Sequence, residues 1–271
     1  MGQFFKHSPW VVDDQLLHPG EYTTFHSIST LQRSTMTPIT LDARSGVSRL
    51  DLQASYYVKT FKGAGSRIKF WLNASRYQRE LRNLRYFNTL GLDTPQLIAY
   101  GHQTQLGALQ QAVLVTAEVK DATDLEQIAR SGELYRHGIP AARKILSELA
   151  RAASIMHADG FYHKDLKPRN ILVRQTGNKA ELFFFDCPSG HHPPRLLLRR
   201  GIVRDLAHLE QGLQGHVRRV DLLYMYKQYR GCDRLNDEDK ALARDALSYY
   251  SKRRMTRKRR LREARKNTNV R

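Results

Sequence analysis

The stretch HKDLKPRN, residues 163–170, constrains the fold of this chain more than any other segment. It places Asp165, Lys167 and Asn170 within six residues, and Pro168 prevents a helix from running through them. The apolar run Ile171-Leu172-Val173 follows and predicts a strand. A lone Asp–Asn pair is typical of a polar turn, so its meaning depends on which groups the rest of the chain can bring to it.

The chain offers such groups in three further places. Asp186 ends the apolar run ELFFFD, Lys59 lies near the end of an earlier predicted strand, and Glu80 lies on a predicted helix. Phosphoryl transfer from Mg-ATP needs a carboxylate to orient a hydroxyl, oxygen ligands for Mg²⁺, and a lysine that neutralises phosphate charge. The order and spacing of HKDLKPRN match the kinase pattern H-R-D-x-x-x-x-N.

The first half of the chain is rich in predicted strands. Residues 39–61 alternate between polar and apolar side chains and predict strands with a turn near Ser45-Gly46. A helix is predicted over residues 74–90, with Tyr77, Leu81, Leu84 and Asn88 on one face, and strands follow at Pro95–Tyr100 and Ala112–Glu118. The polar residues 118–124 predict a connector.

The second half is predominantly helical by its pattern. Four apolar residues with helical spacing form one stripe that ends before Gly160: Ile145, Leu149, Ala152 and Met156. Two strands around a turn at residues 176–179 are predicted next, and helix is predicted from about Arg204 to Lys252. We therefore predict an α+β, bilobal fold. Its predicted ranges are an N-terminal cap (1–38), an N-lobe (39–118), a C-lobe (119–251) and a basic tail (252–271).

The charge of the chain indicates an anionic partner. The net charge is +19, and more than half of it lies in residues 252–271. Three interpretations of this tail stay open: a solvated terminal helix, a segment that adsorbs to an anionic membrane, and an RNA-binding segment. The two cysteines, Cys187 and Cys232, are too few for a disulfide framework, and no apolar run is long enough to span a bilayer. These features predict a cytoplasmic protein with at most peripheral membrane contact.

The motifs together resemble those of the protein-kinase-like superfamily, and within it the bacterial lipopolysaccharide kinases that act on Kdo or heptose. YYVKTFKG is similar to the strand that carries their ATP-contacting lysine, and RYQRELRNLRYFNTLGLDTPQLIAYG to the helix and strand that follow it. LVTAEVKDATDL is similar to their hinge, HADGFYHKDLKPRNILV to their catalytic loop, and FFFDC to their metal-binding strand. RDLAHL, which contains Asp205, resembles their buttressing aspartate. The resemblance spans roughly residues 39–230.

This resemblance implies a role for each polar residue of the set. Asp165 would be the catalytic base and Lys167 a γ-phosphate contact, whereas Asn170 and Asp186 would bind Mg²⁺. Lys59 would contact the α- and β-phosphates of ATP, with Glu80 as its ion-pair partner. Backbone groups near Glu118 and Val119 would contact the adenine.

Several departures from the protein-kinase pattern narrow the expected substrate. No G-x-G-x-x-G precedes Lys59, and Asp186-Cys187-Pro188 stands where D-F-G is usual. Lys164 replaces the arginine that pairs with an activation-loop phosphate in regulated kinases. The chain after Asp205 is short for docking a protein substrate. We therefore expect a constitutive kinase for a small-molecule or glycolipid hydroxyl.

The leading hypothesis is an ATP-dependent kinase that phosphorylates a heptose or Kdo hydroxyl of the lipopolysaccharide inner core. The expected partners are this glycolipid acceptor and, through the tail, the anionic surface of the inner membrane. Nucleic acid is a less favoured partner, and no obligate protein partner is inferred. The alternatives are a Ser/Thr or other small-molecule kinase, and a pseudokinase scaffold that binds RNA or membrane.

Overall fold

The structure is a computed structural model that describes residues 6–7, 9–43, 45–63, 75–105, 108–176 and 179–268. The chain forms two compact units. The first comprises residues 1–122 together with 183–189, and the second comprises residues 123–182 together with 190–271. The four domain ranges predicted from the sequence stay a prediction. The centre of the predicted turn at residues 176–179, and the last residues of the tail, lie outside the described residues.

The first unit contains an antiparallel sheet in the order β1-β6-β7-β5-β4-β3, with β2 also paired to β6. Its strands are β1 (Lys6–His7), β2 (Trp10–Val12), β3 (Thr37–Leu41), β4 (Ser45–Asp51), β5 (Ser55–Lys62), β6 (Leu97–Gln105) and β7 (Ala108–Ala117). The predicted strands at residues 95–100 and 112–118 correspond to β6 and β7. Strand β5 lies between β4 and β7, so both of its edges are hydrogen-bonded.

The turn predicted near Ser45-Gly46 lies directly before these residues, between the end of β3 at Leu41 and the start of β4 at Ser45, where the Asp42 N–H donates to the Ser45 carbonyl. Ser45 and Gly46 both belong to β4, where Ser45 pairs with Phe61 and Gly46 with Thr60 across to β5. A Cβ atom at position 46 would lie 3.2 Å from the side chain of Leu41. The glycine therefore permits close packing against the neighbouring strand, which the sequence pattern does not distinguish from a turn.

Three helices of the first unit are described: α1 (Tyr22–Phe25), α2 (Ile28–Arg33) and α3 (Arg76–Thr89). Helix α3 begins at a capping box in which Ser75 Oγ accepts from the Gln78 N–H while Gln78 Oε1 accepts from the Ser75 N–H. Tyr77 and Leu84 are buried as predicted, whereas Asn88 is exposed. The buried face turns instead through Glu80 and Asn83, which introduces polar groups into the interior.

The N-terminal segment packs on the sheet and shares its core. Phe25, Ile28 and Leu31 are buried in one cluster with Tyr56 and Val58 of β5. The buried carboxylate of Glu21 adds polar contacts, because it accepts hydrogen bonds from the hydroxyl of Tyr56 and from the backbone N–H groups of residues 18 and 54. These contacts join the segment before β3 to the central strand.

The second unit is mostly helical. Its helices are α4 (Leu125–Ser131), α5 (Gly138–Ala158), α6 (Arg195–Leu213), α7 (Arg219–Arg230) and α8 (Asp237–Thr268), and a small sheet has the order β10-β9-β8, with β8 (Ala122–Asp124), β9 (Ile171–Thr176) and β10 (Lys179–Phe184). The predicted stripe of α5 is fully buried. The predicted polar connector at residues 118–124 includes strand β8, and α6 begins at Arg195, before the predicted Arg204. Among the described residues, no helix is long and apolar enough to cross a membrane.

We predict that Glu21→Ala lowers the free energy of unfolding by about 3 kcal/mol, because it leaves a buried tyrosine hydroxyl and two backbone N–H groups without their acceptor. Urea denaturation of the purified protein measures the change. Asp42→Ala removes an exposed carboxylate from the same unit and serves as the control. Equal stability losses in the two variants would show that Glu21 does not hold the N-terminal segment to the sheet.

Candidate active site

Lys59 lies on β5 and forms two short ion pairs within the first unit. Its Nζ lies 2.6 Å from Glu80 Oε1 and 2.6 Å from Asp186 Oδ1. Alternate residues of a strand share a face, so Lys59 points to the same side as Phe61. The ring of Phe61 packs against Tyr77 of α3, and this contact brings the helix to the face from which Lys59 projects. The structure therefore brings together three of the residues singled out in the sequence.

The Glu80 carboxylate is almost completely buried, with its side chain 3% exposed. Burial raises the pKa of Glu80, and the adjacent Lys59 ammonium acts in the opposite direction. Its second oxygen, Oε2, has no hydrogen-bond partner among the described residues. A buried carboxylate of this kind is stable as an anion only while its cation stays in place. Lys59 therefore keeps Glu80 charged, and Glu80 holds the Lys59 ammonium in position.

Two side chains on one face of α3 hold the segment that carries Asp186. Asn83 Nδ2 donates to the Cys187 carbonyl at 2.7 Å, and Arg79 Nε donates to the Pro188 carbonyl at 3.0 Å. Asp186 itself has a φ of +54°, a conformation that non-glycine residues seldom adopt. The contacts on residues 187 and 188 hold this strained backbone, which aims the carboxylate at Lys59.

The predicted catalytic loop lies in the second unit and is held together locally. Lys167 Nζ lies 2.6 Å from Asp165 Oδ1, and Asn170 Nδ2 donates to the Asp165 carbonyl at 3.0 Å. Pro168–Asn170 forms a single 3-10 turn, as expected for a proline that starts a turn. The structure thus brings together Asp165, Lys167 and Asn170, the three residues of the opening motif.

Asp205 of α6 fixes the backbone of this loop. Its carboxylate is fully buried and accepts hydrogen bonds from the N–H groups of His163 at 2.6 Å and Lys164 at 2.8 Å. Lys164 has a φ of +72°, so the backbone immediately before Asp165 is strained. The buried His157 adds a contact, since its Nε2 lies 3.5 Å from Asp205 Oδ2 and its Nδ1 lies 2.9 Å from the Tyr229 hydroxyl. One helix residue therefore sets the direction in which the Asp165 side chain leaves the loop.

The charge state of Asp165 is set by its neighbours. Burial acts to raise the pKa of Asp165, but Lys167, together with smaller contributions from His208 and His163, lowers it below the ordinary value. The carboxylate is therefore ionised at neutral pH. An ionised carboxylate can accept a hydrogen bond from an approaching hydroxyl and take up its proton as a bond to oxygen forms.

The sequence analysis did not single out His208. This residue is buried, and its Nδ1 lies 3.8 Å from Asp165 Oδ1. Tyr249 and Tyr250 of α8 pack against its ring. Burial lowers the pKa of His208 to about 4, so the imidazole is neutral at pH 7. The signal that could have identified it is its position three residues after Asp205, which places both side chains on one face of the helix.

Glu118 and Val119, predicted to present backbone groups to adenine, follow directly on β7. The N–H of Glu118 donates to the Ser55 carbonyl at 2.9 Å, and its carboxylate lies 3.3 Å from Arg49 Nη2. The backbone of Val119 makes no hydrogen bond to another described residue. The N–H of Glu118 is therefore engaged in the sheet, whereas the polar groups of Val119 are available to a ligand. Their role in adenine binding stays a prediction.

The donor atoms of Asn170 and Asp186 suit a hard cation. The amide of Asn170 uses its Nδ2 for hydrogen bonds, and no described residue donates to its Oδ1. Asp186 pairs through Oδ1, whereas no described residue contacts its Oδ2 within hydrogen-bond distance. Amide and carboxylate oxygens are the ligands that Mg²⁺ prefers. Asn170 and Asp186 therefore each have an oxygen atom of the type that this metal prefers, and their role as metal ligands stays a prediction.

Comparison with known proteins identifies a family whose model covers these residues. The model of the lipopolysaccharide kinase (Kdo/WaaP) family matches residues 40–229. Among solved structures, the chain is similar to WaaP in complex with acyl carrier protein, with a TM-score of 0.65, 19% sequence identity and coverage of 90% of this chain and 97% of that one. The likeness of the two structures confirms the predicted kinase-like fold.

Curated relatives are protein kinases that match over shorter segments. A putative CBL-interacting protein kinase 27 of Oryza sativa subsp. japonica is 39% identical over 80 residues, which cover 27% of this chain and 20% of that protein. The serine/threonine-protein kinase PknA of Mycobacterium tuberculosis (strain ATCC 25177 / H37Ra) is 32% identical over 103 residues, or 38% of this chain and 22% of PknA. The chain therefore spans about a fifth of the length of these relatives.

We predict that replacing His208 makes the protein less sensitive to mild acid. Because its folded-state pKa of about 4 lies below the ordinary 6.5, the unfolded chain binds more protons between these values, and acid favours unfolding. Between pH 7 and pH 5 this group should cost about 2 kcal/mol of the free energy of unfolding. His208→Phe should remove that part of the pH dependence.

The measurement is urea denaturation at pH 7 and pH 5 for the parent protein and His208→Phe. His216→Phe, which replaces an exposed histidine of the same unit, is the control and should keep the parent pH dependence. A His208→Phe protein that loses as much stability as the parent between the two pH values would contradict the burial of a neutral imidazole beside Asp165.

Proposed function

Because the chain belongs to the lipopolysaccharide kinase (Kdo/WaaP) family, we propose that it transfers the γ-phosphoryl group of Mg-ATP to a sugar hydroxyl, of a heptose or of Kdo, in the lipopolysaccharide inner core. The observation that carries the proposal is that residues 40–229, the part of the chain that the family matches, include all six polar residues that we assign to phosphoryl transfer. These residues form two clusters: Lys59 with Glu80 and Asp186, and Asp165 with Lys167 and Asn170.

We assign the chemistry of the acceptor to the loop of the second unit. Asp165 orients the sugar hydroxyl and accepts its proton while the acceptor oxygen forms a bond to the γ-phosphorus. The bond from that phosphorus to the bridging oxygen breaks, and ADP leaves. Lys167, which lies 2.6 Å from Asp165, neutralises charge that develops on the transferred group.

We assign the binding of the donor to residues of both clusters. Mg-ATP, when bound, supplies the transferable phosphoryl group. Lys59, fixed by Glu80, contacts its α- and β-phosphates, and Asn170 and Asp186 provide oxygen ligands for Mg²⁺. The backbone of Val119, with that of Glu118, contacts the adenine. The pairing of Lys59 with Asp186 implies an exchange, since the ammonium must shift part of its interaction from the carboxylate to phosphate.

The charge of the protein supports a lipid-anchored acceptor. Lipopolysaccharide is an anionic glycolipid, and the net charge of +19 is concentrated in the C-terminal tail. Helix α8 extends as far as Thr268 and so includes most of this tail. Each Lys or Arg near an anionic leaflet contributes about 1 kcal/mol of binding free energy. We therefore propose a cytoplasmic enzyme that associates peripherally with the inner membrane through residues 252–271.

We predict that the protein transfers label from γ-labelled ATP to dephosphorylated core lipopolysaccharide, and that Asp165→Asn lowers the rate by at least about 100-fold, because the amide can neither accept the proton nor carry the charge. Asp159→Asn, a change of an exposed carboxylate before the loop, is the matched control and should retain full activity. The labelled sugar is then identified by mass spectrometry.

The outcomes separate the possible functions. Label on a protein or on another small molecule, with none on the core, would replace the acceptor but keep the kinase chemistry. If Mg-ATP causes no thermal shift and no acceptor is labelled, the pseudokinase scaffold is the better account. Equal activity of Asp165→Asn and the parent would contradict the assignment of Asp165.

A further inference from the structure

The first turn of α6 exposes apolar side chains between arginines. Leu196 is 96% exposed and Leu197 is 51% exposed. Arg195 and Arg200 are also exposed, and neither forms an ion pair with another described residue. Residues 195–200 are called the leucine turn below. Leucines that face solvent beside unpaired arginines are typical of helices that lie at a membrane interface.

The leucine turn adjoins the beginning of the basic tail. Asp245 of α8 accepts a hydrogen bond from Arg199 Nη2 at 2.8 Å, and the same carboxylate lies 3.4 Å from Lys252 Nζ. Arg253 and Arg254 follow Lys252 on the helix and are exposed. One carboxylate is therefore shared by the leucine turn and the tail, and the cationic surface continues from one to the other.

The rest of α6 is fixed against the loop that carries Asp165. Gly201 packs against the ring of Tyr162 so closely that a Cβ atom would not fit. Further along, Asp205 holds the backbone before Asp165, and His208 faces its carboxylate. The rise of an α-helix places Leu196 about 18 Å along the axis from His208. The same rigid helix thus carries an exposed apolar end and an end that positions the proposed base.

We propose that the leucine turn docks on an anionic bilayer. Leu196 and Leu197 enter the boundary between headgroups and acyl chains, while Arg195 and Arg200, together with Lys252–Arg254, contact lipid phosphates. Charge complementarity selects this partner, since a cationic surface with leucines at its centre combines the two contributions to interfacial binding. The inference rests on the proposed function, because docking of the leucine turn would hold Asp165 at a set distance from the membrane in which the acceptor is anchored.

The first test measures binding to phosphatidylglycerol-containing vesicles by sedimentation. Leu196→Ser with Leu197→Ser should weaken the binding of the full-length protein by about tenfold or more, because the apolar contribution is lost while every charge remains. Ile39→Ser with Leu41→Ser is the matched control, since these side chains on β3 are 52% and 80% exposed. All four positions are at the surface, so the thermal unfolding temperature should not change.

A second measurement reports insertion directly. Leu196→Trp should show a shift of its fluorescence emission to shorter wavelength when anionic vesicles are added, whereas Leu41→Trp should not. Phosphatidylcholine vesicles should give a smaller shift at position 196 and none at position 41. Unchanged vesicle binding of the double serine variant, together with no spectral shift at position 196, would overturn the proposal.

The activity assay separates this inference from the proposed function. The double serine variant should phosphorylate vesicle-embedded lipopolysaccharide at least about tenfold more slowly than the parent, but should match the parent on a deacylated, water-soluble core oligosaccharide. If the parent phosphorylates neither acceptor, the proposed function fails, whereas the vesicle tests still decide the docking surface. If the variant loses affinity for an acyl carrier protein and keeps its affinity for vesicles, the surface binds an acidic protein and the membrane proposal is wrong.

Discussion

The pairing of the Lys59 ammonium with the carboxylates of Glu80 and Asp186 is the interaction on which the arrangement of the first unit depends. Burying the carboxylate of Glu80 is costly, and the short contact to Lys59 is the main interaction that offsets that cost. The arrangement requires β5 at the interior of the sheet, α3 packed through Tyr77 against Phe61, and the segment after β10 tied to Asn83 and Arg79. The elements of this unit therefore converge on the position of one cation.

In the second unit, the arrangement of the loop at residues 163–170 depends on the buried Asp205. By accepting the N–H groups of His163 and Lys164, it stabilises a backbone conformation that few non-glycine residues adopt. That conformation fixes the direction of Asp165, and the adjacent Lys167 keeps its carboxylate charged. Because Asp205 and His208 both belong to α6, movement of this helix would change the position of Asp165, the proposed base.

The sequence predicted residues that belong to a contiguous motif or that recur with the spacing of a helix. HKDLKPRN identified three of the clustered side chains, and helical spacing identified the buried stripe of α5. It could not distinguish Gly46 in a strand from a glycine in a turn, because the difference lies in the approach of Leu41. It also missed the early start of α6, because the exposed leucines there do not follow the spacing of a buried helix face. The contact of His208 with Asp165 was missed because it joins segments that are distant in sequence.

The central claim is that Glu80 holds Lys59 in position for phosphoryl transfer, and kcat/KM for ATP with core lipopolysaccharide as the acceptor tests it most directly. Glu80→Gln keeps the shape of the side chain but removes its charge, and Glu133→Gln makes the same change at an exposed pair with Arg136. The account predicts a loss of at least about tenfold for Glu80→Gln and parent activity for Glu133→Gln. Equal kcat/KM values for Glu80→Gln and the parent would contradict it.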